Sequence, residues 1–402
     1  MENLNIYFIV SHPIQYFVPL YKHLATVNGV RSKVLFLSDE TLKGVTDKQF
    51  GVSFTWDIPL LEGYQYSFIP NRSWKASIFN GFWGLFNPGI ITALWRLPKG
   101  LVIISGWHFS SYIMGYVFAF LFGHKVAIRC EAPAYKEKDR KGFKNKIRAF
   151  LIGKVLLNGI VDKCLYLGEQ SKAFYRHFKV KDEKLVFTPY SIDNARFKAG
   201  VGMYDKTEER QKLGISSDDF VILFTGKFIP VKRPLDLIQA FEKVQVKNKR
   251  LILVGDGFLK EEMVKYIQQH EVEQVHFTGF INQTELPKYY ALADVLVLCS
   301  ESETWGLSVN EAMVCGLPVV VSDRVGCAED LVHNGENGYI FPKGNIDALA
   351  NAMEKISDSD RRRSMRIQSE RIISHYTLEM TSDGIVKAAE QAFNPHLVST
   401  RF

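Results

Sequence analysis

Short apolar runs alternate with amphipathic stretches along the whole 402-residue chain. Runs of four to six apolar residues bounded by polar or turn residues predict strands buried on both faces. Stretches with apolar residues every three or four positions predict helices. In the first half this reading gives strands at 5–10, 33–37, 101–105, 125–129, 163–167 and 185–187, with helices at 16–26, 111–122, 142–157 and 169–178. In the second half it gives strands at 220–225, 250–254, 274–277, 294–298 and 318–321, with 338–341 at an edge. Helices are expected there at 234–246, 258–269, 284–291, 306–315, 346–355 and 359–373. Pro234 suits a first helical turn, and Asn282 with Glu285 reads as a capping arrangement. Strand and helix alternate throughout, which argues for parallel sheets. The length exceeds one ordinary core, so the expectation is two domains, each with its own doubly wound sheet. The boundaries expected are 1–200, 201–375 and a C-terminal segment 376–402, with polar residues 198–218 as a bridge.

Two stretches need a decision about membranes. Residues 100–124 contain no Asp, Glu, Lys or Arg and could span a bilayer by length. Ser105, Gly106, His108, Ser110 and Ser111 interrupt the run, so a strand, a loop and a buried helix explain it better. The uncharged stretch 76–95 is broken by glycines, Asn87 and Pro88. No leader is expected at the start, because His12 and Pro13 follow the apolar residues 6–10 at once.

Composition narrows the class. At 47% hydrophobic and 13% aromatic residues the chain is a folded globular one. Five scattered cysteines inside apolar runs suggest buried, reduced thiols and a cytoplasmic setting. No metal-ligand spacing is present; Asp358 and Asp360 read as a helix cap. Charge is uneven: residues 1–200 hold 27 Lys and Arg against 14 Asp and Glu, and residues 201–402 hold 23 against 29. A basic first half suits an anionic partner such as a phospholipid surface, a lipid diphosphate or a charged glycan. Nucleic acid is not expected, since the excess is spread along the chain without a binding motif. Within 136–157, Phe143, Ile147, Phe150, Leu151 and Val155 fall on one helical stripe among lysines and arginines. This is either a domain helix with its apolar face in the core or a helix that docks, with the protein peripheral, on an anionic membrane.

The candidate chemistry concentrates in SESETWGLSVNEAMVCGLPVVVS (300–322). It reads as a loop, a short helix and a buried strand, with Gly306 allowing a tight turn, Gly316 at the helix end and Pro318 blocking continuation. Glu303 and Glu311 stand eight positions apart, one before the helix and one on it. Both would face the carboxyl end of a parallel sheet, where open α/β sheets bind ligands. Two carboxylates beside a helix N-terminus suit a ligand that offers hydroxyls and an anion. Upstream, TGKFIPVKRP (225–234) places Lys227 and Lys232 in a loop at a strand end, where they would suit a diphosphate.

The spacing Glu-x7-Glu followed by Ala-Met-x-x-Gly-x-Pro-Val resembles the donor-site signature of the retaining family 4 glycosyltransferases. Further matches cover roughly 185–345. That resemblance implies the GT-B fold: two doubly wound Rossmann-like α/β domains facing across a cleft, the second binding a nucleotide-sugar and the first the acceptor. It implies that Glu311 holds the ribose, Glu303 the sugar, and Lys227 and Lys232 the diphosphate, with Gly306 and Leu307 on the donor side. Lys227 stands where the family usually has Arg, and Arg233 where it usually has Gly. VGDGF (254–258) resembles the family's Val-Gly-x-Gly-Pro turn and makes Gly255 either donor-side backbone or a plain turn. FTGFINQTEL (277–286) places Phe280 and Ile281 against the base. TPYSIDNARF (188–197) resembles the inter-domain turn, with Tyr190 and Ser191 replacing its Asn-Gly. The first half matches less clearly. Where relatives have a glycine-rich loop this chain has SHPIQYFVP (11–19), and where they have a histidine it reads IRCEAP (128–133). His108, Glu131, Arg129 and His12 are therefore candidates for acceptor or sugar contacts. The implied activity is retaining transfer from a UDP-, GDP- or ADP-sugar to a glycan or lipid-linked acceptor, without metal or other cofactor, in surface polysaccharide or glycolipid assembly. A nucleotide-sugar 2-epimerase of like architecture and a non-catalytic glycosyltransferase-like subunit remain as alternatives.

Overall fold

A computed structural model describes residues 3–47, 52–138 and 140–394. The chain forms two compact units: residues 1–45, 59–191 and 378–402 make the first, and residues 46–58 and 192–377 the second.

The first unit is built on Leu4–Val10 (β1), Val30–Phe36 (β2), Gln65–Phe68 (β5), Leu101–Ile104 (β6), Lys125–Arg129 (β7), Lys163–Tyr166 (β8) and Leu185–Phe187 (β9). Two further strands, Val45–Asp47 (β3) and Val52–Phe54 (β4), pair in a separate two-stranded sheet that, but for Val45, belongs to the second unit. The main sheet runs β5-β2-β1-β6-β7-β8-β9, every pair parallel. The order therefore reverses between β1 and β6, which are bonded directly, Ile6 opposite Leu101. β1 and β6 are apolar on both faces because helices cover both. The last helix, Leu378–Phe393, packs here, and its Gly384 lies so close that a Cβ would stand 2.2 Å from the Phe187 carbonyl oxygen.

The second unit holds Phe220–Thr225 (β10), Lys249–Val254 (β11), Val275–Gly279 (β12), Val295–Leu298 (β13), Val319–Ser322 (β14) and Gly338–Phe341 (β15). Their order is β12-β11-β10-β13-β14-β15, again all parallel, with the reversal between β10 and β13. This is the doubly wound dinucleotide-binding order, whose ligands bind outside the carboxyl ends at the reversal. β10, β13 and β14 are buried along their whole length.

The predicted strands all form, and several unpredicted elements join them. β5 escapes an apolar pattern because it is a half-exposed strand at the sheet's edge. A helix, Gly89–Arg96, starts directly after Pro88 in the stretch read as broken, burying Ile90 and Leu94. The polar bridge is instead two capped helices. Asp193 accepts from the Arg196 amide before Asn194–Gly202, and Asp205 from the Thr207 and Glu208 amides before Lys206–Lys212. The chain accordingly passes from the first unit to the second after Ser191 rather than after 200, and returns to the first at Leu378. Residues 100–124 are a strand and the helix Ser110–Leu121; among the described residues no helix is long and apolar enough to cross a membrane. Asp358 caps its helix through the Arg361 amide at 2.8 Å, whereas Asn282 accepts from Gln283 and forms no capping box.

The segment 142–157 departs most from a plain amphipathic helix. Phe143–Phe150 is α-helical and continues as a π-helix over Leu151–Ile160. The face turned inward is Ile152, Gly153, Leu156 and Leu157, with Gly153 against Phe178. The predicted stripe is outside: Phe143 is 75% exposed, Phe150 59% and Leu151 53%, with Ile147 and Val155 exposed as well. Of the two readings of this stripe, the one that puts it in the core is therefore excluded. Four of the five cysteines are buried and all are free; burial pushes Cys164 and Cys299 up to about 12, so both are protonated thiols.

Candidate active site

At the reversal of the second sheet two loops meet, one leaving β10 (226–233) and one leaving β13 (299–306). They are stitched together by the Glu301 amide, which donates to the Val231 carbonyl at 2.8 Å, and by the Cys299 thiol, which donates to the Arg233 carbonyl at 3.1 Å. Across this seam the Lys232 ammonium pairs with Glu303 Oε2, which also accepts from Ser300 Oγ at 3.4 Å. The Glu303 backbone is fixed from the other side, its amide donating to the Arg324 carbonyl at 3.0 Å. The spacing between Lys232 and Glu303 in sequence gives no hint of this pair; the sheet order makes it.

Gly306 then turns the chain into the helix Leu307–Val314 with φ of 102°, in the left-handed region. A Cβ there would stand 2.9 Å from Val325 Cγ1, so glycine is required twice over, by conformation and by space. The helix start, Leu307 included, carries no side-chain cap. Glu311, one turn further, is 1% exposed and accepts from the Tyr290 hydroxyl at 2.5 Å. Tyr290 also shares a hydrogen bond with Thr225 Oγ1 at 3.2 Å, at the end of β10. A chain of contacts thus runs from Glu311 to the sheet reversal. Tyr290 was invisible in sequence, since a tyrosine on an apolar helix reads as core.

The remaining second-unit candidates surround this seam. Lys227 is partly buried two residues beyond β10. Arg233 adopts φ of 49°, the conformation that favours glycine, and its guanidinium pairs with Asp236 at 2.6 Å and Glu301 at 3.4 Å. Gly255 hydrogen bonds by its amide to Gly279 at 2.9 Å. Phe280 and Ile281 follow β12, and the Phe280 ring lies 6.5 Å from that of Trp56. Asn282 and Thr284 bind this same segment through Thr55 and Asp57. Nothing in the sequence pointed to 55–57 at this place.

In the first unit the candidates gather at the carboxyl ends of β1, β6 and β7. The Ser11 amide donates to the Tyr112 hydroxyl at 2.9 Å, and Ser11 Oγ bonds His12 Nδ1 at 2.9 Å. The His108 ring stands edge-on to Tyr112 at 5.4 Å. Arg129 ends β7 and is 8% exposed, its guanidinium 5.3 Å from the Phe17 ring and 5.0 Å from that of Tyr190. The Tyr190 hydroxyl donates to Glu131. Burial lowers the His108 pKa and pushes His12 down to about 4, so both rings are neutral at pH 7.

This has a stability consequence. Between pH 6.5 and 4 the unfolded chain protonates His12 while the folded chain does not, so the histidine's contribution is present above that window and is lost as pH falls through it. His12→Gln is expected to flatten the fall in unfolding free energy from pH 7 to pH 5 by about 1–2 kcal/mol. Urea unfolding at the two pH values measures it, and an unchanged slope would show that the ring titrates as in water.

With this geometry in hand, comparison with known proteins is specific. Residues 205–372 match the sequence family described as "Glycosyl transferases group 1". The chain is 30% identical over 215 residues to N-acetyl-alpha-D-glucosaminyl L-malate synthase of Bacillus anthracis, covering 50% of this chain and 54% of that protein. It is 35% identical over 138 residues to alpha-monoglucosyldiacylglycerol synthase of Acholeplasma laidlawii, covering 33% and 34%. The chain spans about half the length, or less, of the curated relatives it matches. Over 96% of the chain and 99% of the other, the structure superimposes on Anabaena HepE, crystallised with UDP and glucose, with a TM-score of 0.71 at 18% identity. In fold the chain is GT-B, with two Rossmann-like units, and the match to the group 1 family lies within its second unit.

Proposed function

We propose that the protein is a retaining glycosyltransferase of the family 4 type that moves a sugar from a nucleoside-diphosphate sugar to a glycan or lipid-linked acceptor. The observation that carries this is Lys232 and Glu303 meeting at the sheet reversal, beside an uncapped helix start. A diphosphate competes for the Lys232 ammonium and frees Glu303 for sugar hydroxyls. As the bond from the sugar's anomeric carbon to the diphosphate oxygen breaks, the leaving diphosphate keeps the electron pair; Lys227, Lys232 and the helix N-terminus take up that charge. The acceptor oxygen bonds the same carbon on the face the diphosphate leaves, and its proton passes to an oxygen of the departing diphosphate. Glu311 and Tyr290 hold the ribose, and Phe280 and Ile281 flank the base. These groups supply the charge neutralisation that a divalent ion supplies elsewhere, so the reaction is metal-independent. Retention is supported by the α-linked products named for both curated relatives, given an α-linked donor. A role in surface glycan or glycolipid assembly is supported by the glycolipid product named for the Acholeplasma relative.

A thermal-shift panel with UDP, GDP, ADP and CMP tests the donor site on wild type, Lys232→Ala and Glu311→Ala. UDP is the first expectation, as HepE was crystallised with it. Selective stabilisation by one nucleotide, reduced in both variants, is the expected result. No stabilisation by any of the four would remove the donor site from the seam.

A further inference from the structure

The first unit presents an apolar face whose side chains stay exposed among the described residues and whose helices carry no carboxylate. It is made of three helices. Ser110–Leu121 leaves Ile113, Val117, Phe120 and Leu121 exposed, a stripe at i, i+4, i+7 and i+8. The helix beside it, Leu151–Ile160 with Phe143–Phe150 leading into it, exposes the five-residue stripe described above. On Gly89–Arg96, Trp95 is 72% exposed and packs edge-on to Phe122 at 5.2 Å. Exposed apolar residues on this scale mark an interaction surface rather than ordinary scatter.

Charge identifies the partner. No Asp or Glu occurs between Glu62 and Glu131, nor between Asp139 and Asp162, so all three helices lack carboxylates. The second stretch instead carries Arg140, Lys141, Lys144, Lys146, Arg148 and Lys154. Arg148 is drawn inward by Glu137, which binds it through both oxygens at 2.6 and 2.9 Å and is itself buried. Lys141, Lys144, Lys146 and Lys154 remain exposed around the apolar stripe. A surface made for a second protein chain mixes charge signs at its rim, whereas this one offers a single sign around bulky apolar side chains. That is the pattern of an element lying in a bilayer interface, with rings and aliphatic groups below the headgroups and lysines among anionic phosphates. We infer that this three-helix face docks the protein on an anionic phospholipid membrane. The inference stands on the first unit alone and does not depend on the donor site.

Sedimentation of the full chain with vesicles of phosphatidylcholine alone, and of phosphatidylcholine with phosphatidylglycerol, tests this directly. Binding is expected to the anionic vesicles, to be much weaker to neutral ones, and to weaken in high salt. Lys144→Ala with Lys146→Ala should reduce it about thirtyfold. Phe150→Ser with Leu151→Ser should reduce it by about a hundredfold, since two side chains lose their apolar burial. The melting temperature of both variants, measured without ligand, should match wild type, which separates loss of docking from loss of fold. Equal binding to neutral and anionic vesicles, no binding to either, or a wild-type dimer in sedimentation velocity that the serine variant dissociates would each overturn the inference.

Discussion

Lys232→Ala is expected to lower kcat/KM for sugar transfer by about 10²–10³, or 3–4 kcal/mol of transition-state stabilisation. The loss should fall on kcat more than on KM. The leaving diphosphate gains charge only as the glycosidic bond breaks, so a cation beside it acts chiefly in the transition state. Folding stability should change by only about 1 kcal/mol, because the Lys232–Glu303 pair is partly exposed and Glu303 keeps Ser300 as a partner. Lys232→Arg should recover part of the rate, since charge matters more here than the shape of the donor group. Steady-state kinetics with the nucleotide-sugar identified by the thermal panel provide the readout. A kcat/KM within about threefold of wild type would remove Lys232 from the machinery.

How much of this site is visible before the structure depends on how each residue is constrained. Gly306 and Gly316 are legible because a loop-to-helix turn and a helix end demand positive φ, and both have it. The apolar strands β10, β13 and β14 are legible because burial on both faces leaves no alternation to confuse the period. The Lys232–Glu303 pair is not legible, since 71 residues separate the two and only the sheet order brings their loops together. The same holds for Tyr290 on Glu311. The stripe at 143–155 was legible as a period, but period does not say which side faces water. Here Gly153 and Phe178 claim the inner face and turn the stripe outward. Arg233 shows the reverse case: its place where relatives have glycine is explained by φ of 49°, and its charge is spent on Asp236 and Glu301 rather than on the Lys232–Glu303 pair.

Gly255→Ala is expected to destabilise the second unit by about 4 kcal/mol, lowering its melting point by about 10 °C. Two independent constraints act on this residue. Its φ is +143°, and an added Cβ would stand 1.9 Å from the Gly226 carbonyl oxygen. Neither backbone can yield, because the Gly226 amide donates to Val254 at 2.9 Å and the Gly255 amide to Gly279 at 2.9 Å. Relief would break the ladder at the ends of β10, β11 and β12, beside the sheet reversal. Gly279→Ala is the control: it too has positive φ, +75°, but nothing lies within 4 Å of its added Cβ. It should cost only about 1 kcal/mol. Urea unfolding of the two variants separates backbone strain from collision. A Gly255→Ala protein as stable as Gly279→Ala, but blind to nucleotide, would mean that the glycine serves the ligand's approach. The 1.9 Å collision argues instead that it serves the sheet, and that the site inherits its shape from that close packing.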